Sequence, residues 1–350
     1  MTANPYEPLV EITRGPLIES IHFGAFAVVD SAGRLLASAG DPQHKTFLRS
    51  SSKPLQALPL LEHGGAKAFN LSDAEIAIMC ASHTGTDLHF NTISALQARL
   101  GLSESDLLCG VEPVSDEPTR DALIRRGEHP TPNRHDCSGK HTGFLALAKL
   151  FGYSKEDYIN PSHPLQQLVI KTFAQMIDYP LEKIDVGIDG CSVPVFGVPL
   201  YNAALGIARL CDPSRLGPER AAACRLVTHA MTAQPILVAG PGRFDTAAMQ
   251  LGAGKFISKG GAEGYQILGI MPGAISPGSP ALGVAIKISD GDRIGRAKPI
   301  VATEILRKLG ILTEEQIRTG LAQLAARPVT NWRDLEVGMM RPNFEFKLSF

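Results

Sequence analysis

The sequence is short of concentrated charge, of long apolar runs and of paired cysteines, and each shortage excludes something. Lys and Arg number 34 against 35 Asp and Glu, a formal net charge of −1, with no basic cluster to hold a phosphate backbone. Nucleic acid is therefore excluded as an expected partner. Nowhere do the roughly 18 consecutive apolar residues of a membrane span occur, and "MTANPYEPLVEITRG" lacks the basic head and apolar stretch of a secretion signal. The expectation is a soluble, cytoplasmic protein with no membrane partner. Six cysteines (Cys80, Cys109, Cys137, Cys191, Cys211 and Cys224) are scattered with no CxxC pair, in a chain too long to need disulfide staples. Most of them read as small buried hydrophobes. No internal repeat or low-complexity tract appears.

What remains is ordinary globular composition, 44% apolar and 20% charged over 350 residues, enough for a large core. "FGAFAVVDSAGRLLASAGD" holds two β-prone runs around the turn Ser31-Ala32-Gly33-Arg34, which predicts a hairpin. From Thr46 to His63 apolar residues recur at helical spacing up to the stop Gly64-Gly65. Helical patterns then dominate from Leu71 to about Gln250, and "DGCSVPVFGVP" reads as an interrupting Gly/Pro-rich loop. Strand signals return in "KFISKGG", "GYQILGIM" and "GVAIKISDGD", followed by a helix from Pro299 to Leu309. The expected fold is thus α/β of the α+β type: one domain over 1–350 whose antiparallel sheet is built from both chain ends, roughly 1–65 and 250–350. The helical region 66–249 is inserted between them. Trp332, beside Arg333 and Asp334, reads as local packing near the C-terminus, and His163 in "PSHP" as a turn or cap residue.

"LRSSSKPLQ" carries the first chemical signal. Pro54 is tolerated only in the first turn of a helix, so a helix starts close by, and Ser50 or Ser51 would serve as its cap. A second reading uses the spacing: Ser50 and Lys53 lie three apart, on one face, where a neutral lysine can take the proton of an attacking hydroxyl. "CASHTGTDLH" places Ser82 on a small-residue turn, and "FISKGGAEG" places Lys259 at a strand end beside two glycines. Ser-x-x-Lys, a later serine turn and a strand-borne Lys-Gly-Gly follow the order of the catalytic groups in serine acyl-transfer enzymes of the β-lactamase kind.

A third constellation joins "NRHDCSGKHTG" to "IDGCSVP". Cys137 and Cys191 stand in Gly/Ser-rich loops among His135, Asp136, Lys140, His141 and Asp189. Two thiolates and a nitrogen or oxygen donor suit zinc. The spacing matches no ordinary zinc finger and lysine is a rare ligand, so buried thiols in packed loops stand as the other reading.

Taken with "TRGPLIESIHFGAFAVVD", "LRSSSKPLQALPL", "GIDGCSVPVF" and "KGGAEG", these motifs make nearly the whole chain resemble the zinc-containing, rhizobial-type (class 3) bacterial L-asparaginases. The resemblance implies a fold like that of serine β-lactamases and β-lactamase-like glutaminases, a homodimer, and hydrolysis of L-asparagine to L-aspartate and ammonia. It puts the nucleophile on Ser50, its base on Lys53 and a second serine and lysine on Ser82 and Lys259. It puts the ligands of a Zn2+ ion on Cys137, Lys140 and Cys191, with Arg49, His83 and Asp189 toward the substrate. For Lys53 and Lys259 to act as bases, their pKa values are expected to lie below the ordinary lysine range. Glutaminase or β-lactam-directed activity on the same fold is the alternative, and a non-catalytic zinc or amino-acid sensor is a third reading, which the presence of Ser50 and Lys53 disfavours.

Overall fold

The computed structural model describes residues 4–349. It divides into two compact units, one made of the described residues up to Ser51, Val198–Asp212 and those from Ala247 onward, the other of Ser52–Gly197 and Pro213–Thr246.

The first unit is organised by an antiparallel sheet that draws strands from both ends of the chain. Its order is Arg327–Thr330, Glu336–Pro342, Glu7–Arg14, Leu17–Asp30, Leu282–Ile288, Tyr265–Ile270 and Phe256–Gly260, with Leu35–Ala39 also paired to Leu17–Asp30. The hairpin expected around Ser31-Ala32-Gly33-Arg34 joins those last two strands. Gly33 supplies a φ of +91°, and the buried Asp30 carboxylate accepts the N–H groups of Ala32 and Arg34. Strand Leu17–Asp30 changes character along its length: Leu17 is exposed, whereas Ala25 to Asp30 are buried without a break. Consecutive strand residues point to opposite faces, so both faces of the sheet are covered at that end. Helix Leu200–Cys211 packs against Leu282–Ile288 so closely that a Cβ on Gly283 would lie 1.8 Å from the Ala204 carbonyl oxygen. Glycine is the residue this contact admits.

The second unit is helical. Its most buried helix, Ser138–Phe151, has eleven successive residues from Ser138 to Ala148 out of solvent. A helix buried all round must lie at the centre of its layer. Asp73–Met79 crosses its N-terminal end and begins with a complete capping box between Ser72 and Glu75.

Three expectations from the sequence need correction. "DGCSVPVFGVP" is not only loop: Asp185–Ile188 and Pro194–Pro199 pair as antiparallel strands with the Cys191 turn between them. The segment 46–63 is no continuous helix. It runs through a short strand, Lys45–Phe47, a 3-10 turn, Arg49–Ser52, and two helical pieces, Lys53–Gln56 and Leu58–Glu62, because Pro54 and Pro59 each suit only a first turn. Trp332 packs against nothing, being fully exposed at the turn between Arg327–Thr330 and Glu336–Pro342. Those two strands carry charge and proline, which hid them in the sequence. His163 does cap a helix, Pro164–Ile177, accepting the Leu165 N–H. Among the described residues no helix is long and apolar enough to cross a membrane.

Candidate active site and metal centre

The "RSSSKP" turn begins under strain. Arg49 takes a left-handed conformation, φ +51°, unusual for a residue with a side chain, and the 3-10 turn Arg49–Ser52 then leads directly into the helix from Lys53. The serines do not cap that helix: Ser52 occupies the cap position without a side-chain capping bond, and the Ser51 hydroxyl donates to the Lys259 carbonyl at 2.9 Å. Strand Phe256–Gly260 thereby holds the turn from below. Gly261 extends this contact, since a Cβ there would come within 2.7 Å of the Leu48 carbonyl oxygen and 3.0 Å of the Ser51 hydroxyl. Ser50, between Arg49 and Ser51, is partly exposed, while Lys259 is 1% exposed.

In the second unit Lys53 is also 1% exposed, and its ammonium donates to the Ala81 carbonyl at 2.6 Å and to the Ser82 hydroxyl at 2.8 Å. Ser82 follows the end of helix Asp73–Met79, and its N–H is fixed on the Val238 carbonyl. The structure thus brings together two residues 29 apart in sequence that the motifs had singled out separately. Asp136 Oδ2 lies 3.9 Å from Lys53 Nζ, an ion pair without a hydrogen bond. Burial opposes the Lys53 charge, yet Cys137 and Asp136 outweigh it and raise the group above its ordinary value. The lowered pKa expected of this lysine is therefore reversed, because anionic neighbours surround it.

His83 is committed elsewhere. Its Nδ1 accepts the Gly85 N–H and its Nε2 donates to the Ser138 hydroxyl at 2.9 Å, while its ring stacks on His89 at 4.7 Å. Burial and then the His89 charge hold it well below the usual histidine range, so it is a neutral strut between two loops.

Cys137, Lys140 and Cys191, each no more than 4% exposed, converge. Lys140 sits in the first turn of Ser138–Phe151 with Nζ 2.9 Å from Cys191 Sγ, and Cys191 is presented by a turn in which Ser192 takes φ +73°. Hydrogen bonding from Cys191 holds Cys137 well below the thiol range, and the same bond raises Cys191. Burial opposes the Lys140 ammonium, but both sulfurs and then Asp189 raise it. Two sulfurs and a nitrogen in one dry pocket fit the donor set of zinc. His135, Asp136 and Cys137 also gather ligand atoms within 4.8 Å of one another.

Glu112 escaped the reading of the sequence. Its Oε1 accepts the Asp136 N–H at 2.6 Å and lies 3.8 Å from His135 Nδ1. It comes from "GVEPVSDEP", a stretch with no periodicity or motif, so no local signal marked it.

The class of protein is that of an amidohydrolase, which the family match defines, here on a mixed α/β fold in which Lys53 is hydrogen-bonded to Ser82. More particularly, the family model described as L-asparaginase II matches residues 10–342, and the chain belongs to that family. No curated protein sequence matches it significantly. Among solved structures, a probable glutaminase of Bacillus subtilis is similar at 14% identity, covering 83% of this chain and 89% of that one with a TM-score of 0.40. Mglu in its native form is similar at 15% identity, 85% and 65% coverage and a TM-score of 0.45. Likeness at that level says nothing about chemistry.

Proposed function

We propose that the protein is an L-asparaginase that hydrolyses the side-chain amide of L-asparagine through an ester on Ser50. The observation that carries this is the hydrogen bond from the buried Lys53 to Ser82, Lys53 lying three residues after a serine on a strained turn. In the proposed reaction Ser50 Oγ attacks the amide carbon and its proton passes to Lys53. The C–N bond breaks as the leaving nitrogen takes a proton relayed through Ser82, giving ammonia and a β-aspartyl ester. Water adds to the ester carbon, the C–O bond to Ser50 breaks, and aspartate leaves as Ser50 regains its proton. Lys259 is the second lysine of this relay.

Cys137, Lys140 and Cys191 would hold Zn2+. The ion would orient the substrate and cancel the thiolate charge that holds the proton on Lys53. All three ligands must be free of protons to bind it, so occupancy falls at low pH. Cys137→Ala leaves one thiolate and one amine, too few for tight binding, and should strip zinc while raising KM for asparagine about tenfold or more. Metal analysis with steady-state kinetics checks this. Unchanged zinc content would dismiss the site.

The protonation of Lys53 sets the pH dependence. Only the neutral amine accepts a proton, and below its pKa that fraction grows about tenfold per pH unit. kcat/KM should therefore climb as the pH is raised from 6 toward 9. A flat profile there speaks against Lys53 as the base.

Measuring ammonia from L-asparagine, from L-glutamine and hydrolysis of a chromogenic β-lactam tests the substrate reading directly. Asparagine should be turned over fastest, and silence with asparagine beside turnover of either other substrate rejects the proposal. The resemblance further implies a homodimer, which sedimentation would show as twice the 37.4 kDa chain mass.

A further inference from the structure

Lys53 is buried, with 1% of its side chain exposed, but Ser82 beside it is half-buried and the Asp136 side chain is 32% exposed. A ligand whose reacting group meets Lys53 and Ser82 therefore has a solvent-accessible carboxylate close by. The carboxylate is rigidly set. The Asp136 N–H donates to Glu112 at 2.6 Å, its carbonyl accepts the His83 N–H, and Oδ1 lies 3.1 Å from His135 Nδ1. Two carboxylates, Asp136 and Glu112, thus face the one imidazole of His135, and Oδ2 is turned toward Lys53 at 3.9 Å without a hydrogen bond between them.

We propose that the Asp136 carboxylate receives the α-ammonium group of the substrate, an inference that rests on the asparaginase reading above. In asparagine the α-nitrogen stands three bonds from the amide carbon, about 4 Å in an extended chain. An amide carbon held beside Lys53 and Ser82 thus puts an ammonium within reach of a carboxylate 3.9 Å from that lysine. Glutamine inserts one more methylene, and an ammonium carried about 1.3 Å farther no longer meets the same oxygen at hydrogen-bond distance. Asp136 would therefore select both for an α-amino group and for the shorter side chain. A charge-assisted contact of this kind discriminates strongly, since a substrate without the amine forgoes it.

The test compares L-asparagine with succinamic acid, the same molecule without its α-amino group, on the wild-type protein and on Asp136→Asn, which keeps the shape of the side chain. The wild type should favour asparagine in kcat/KM by about 100-fold. In Asp136→Asn that ratio should fall at least tenfold, with the loss falling on asparagine. Zinc content and thermal melting of each preparation identify a variant that has lost its metal or fold, and Asp136→Ser then replaces it. An unchanged ratio overturns the assignment, as does an equal loss on both substrates, which would make Asp136 a positioning residue for Lys53. If the wild type releases no ammonia from asparagine, the functional reading itself has failed, a result distinct from an unchanged ratio in an active enzyme.

Discussion

Replacing Ser50 by alanine is expected to abolish ammonia release, lowering kcat by about 10^4-fold or more, because the hydroxyl that forms the ester is gone. The fold should survive. The bond that ties this turn down is made by Ser51, whose buried hydroxyl donates to Lys259, and the cap position of the following helix is Ser52. Thermal melting of Ser50→Ala should therefore stay within about 2 °C of the wild type, as for a substitution that removes no structural bond. Ser51→Ala provides the contrast: it removes a buried hydrogen bond and should cost about 1 kcal/mol. A folded Ser50→Ala protein with substantial turnover would move the nucleophile to another residue.

Gly139→Ala should be the most damaging of the small substitutions near the site. A Cβ at Gly139 would lie 2.1 Å from the Ile78 carbonyl oxygen and 2.7 Å from its carbon, both backbone atoms that no rotamer change can move. Helices Asp73–Met79 and Ser138–Phe151 would have to separate, carrying Ser82 and Lys140 with them. Overpacking against backbone should cost about 3 kcal/mol or more, a fall in melting temperature of about 4 °C or more. Gly143→Ala, one turn on, calibrates the effect. There the Cβ meets only the Met79 side chain, at 3.1 to 3.5 Å, and methionine yields, so the cost should stay near 1 kcal/mol. Equal melting of the two variants would show that the helices are not held as closely as described.

Much of the fold was legible because the relevant signals are local. The hairpin needs only two β-prone runs and a turn with Gly33, and the late strands Phe256–Gly260, Tyr265–Ile270 and Leu282–Ile288 are short apolar runs bounded by glycine. The strands that were missed lack such signals. Arg327–Thr330 and Glu336–Pro342 contain charge and proline, and they become strands by pairing with Glu7–Arg14, in register Val10 to Pro342 and Ile12 to Met340. Pairing across more than 300 residues leaves no trace in the local pattern.

The same division runs through the candidate site. By itself the sequence determined which residue types were present and how they were spaced: Ser50 three before Lys53, Ser82 on a small-residue turn, Cys137 and Lys140 a helical turn apart, Cys191 in a glycine-rich loop. Only the tertiary structure decided where their atoms point. It turned His83 inward onto Ser138, placed Asp136 against Lys53, and brought in Glu112 from an unmarked loop. It also reversed the expected pKa of Lys53, for a plain physical reason: a titrating group answers to whatever charge lies within a few ångströms. For a buried lysine those charges arrive from Asp136, Cys137 and Cys191, residues distant along the chain.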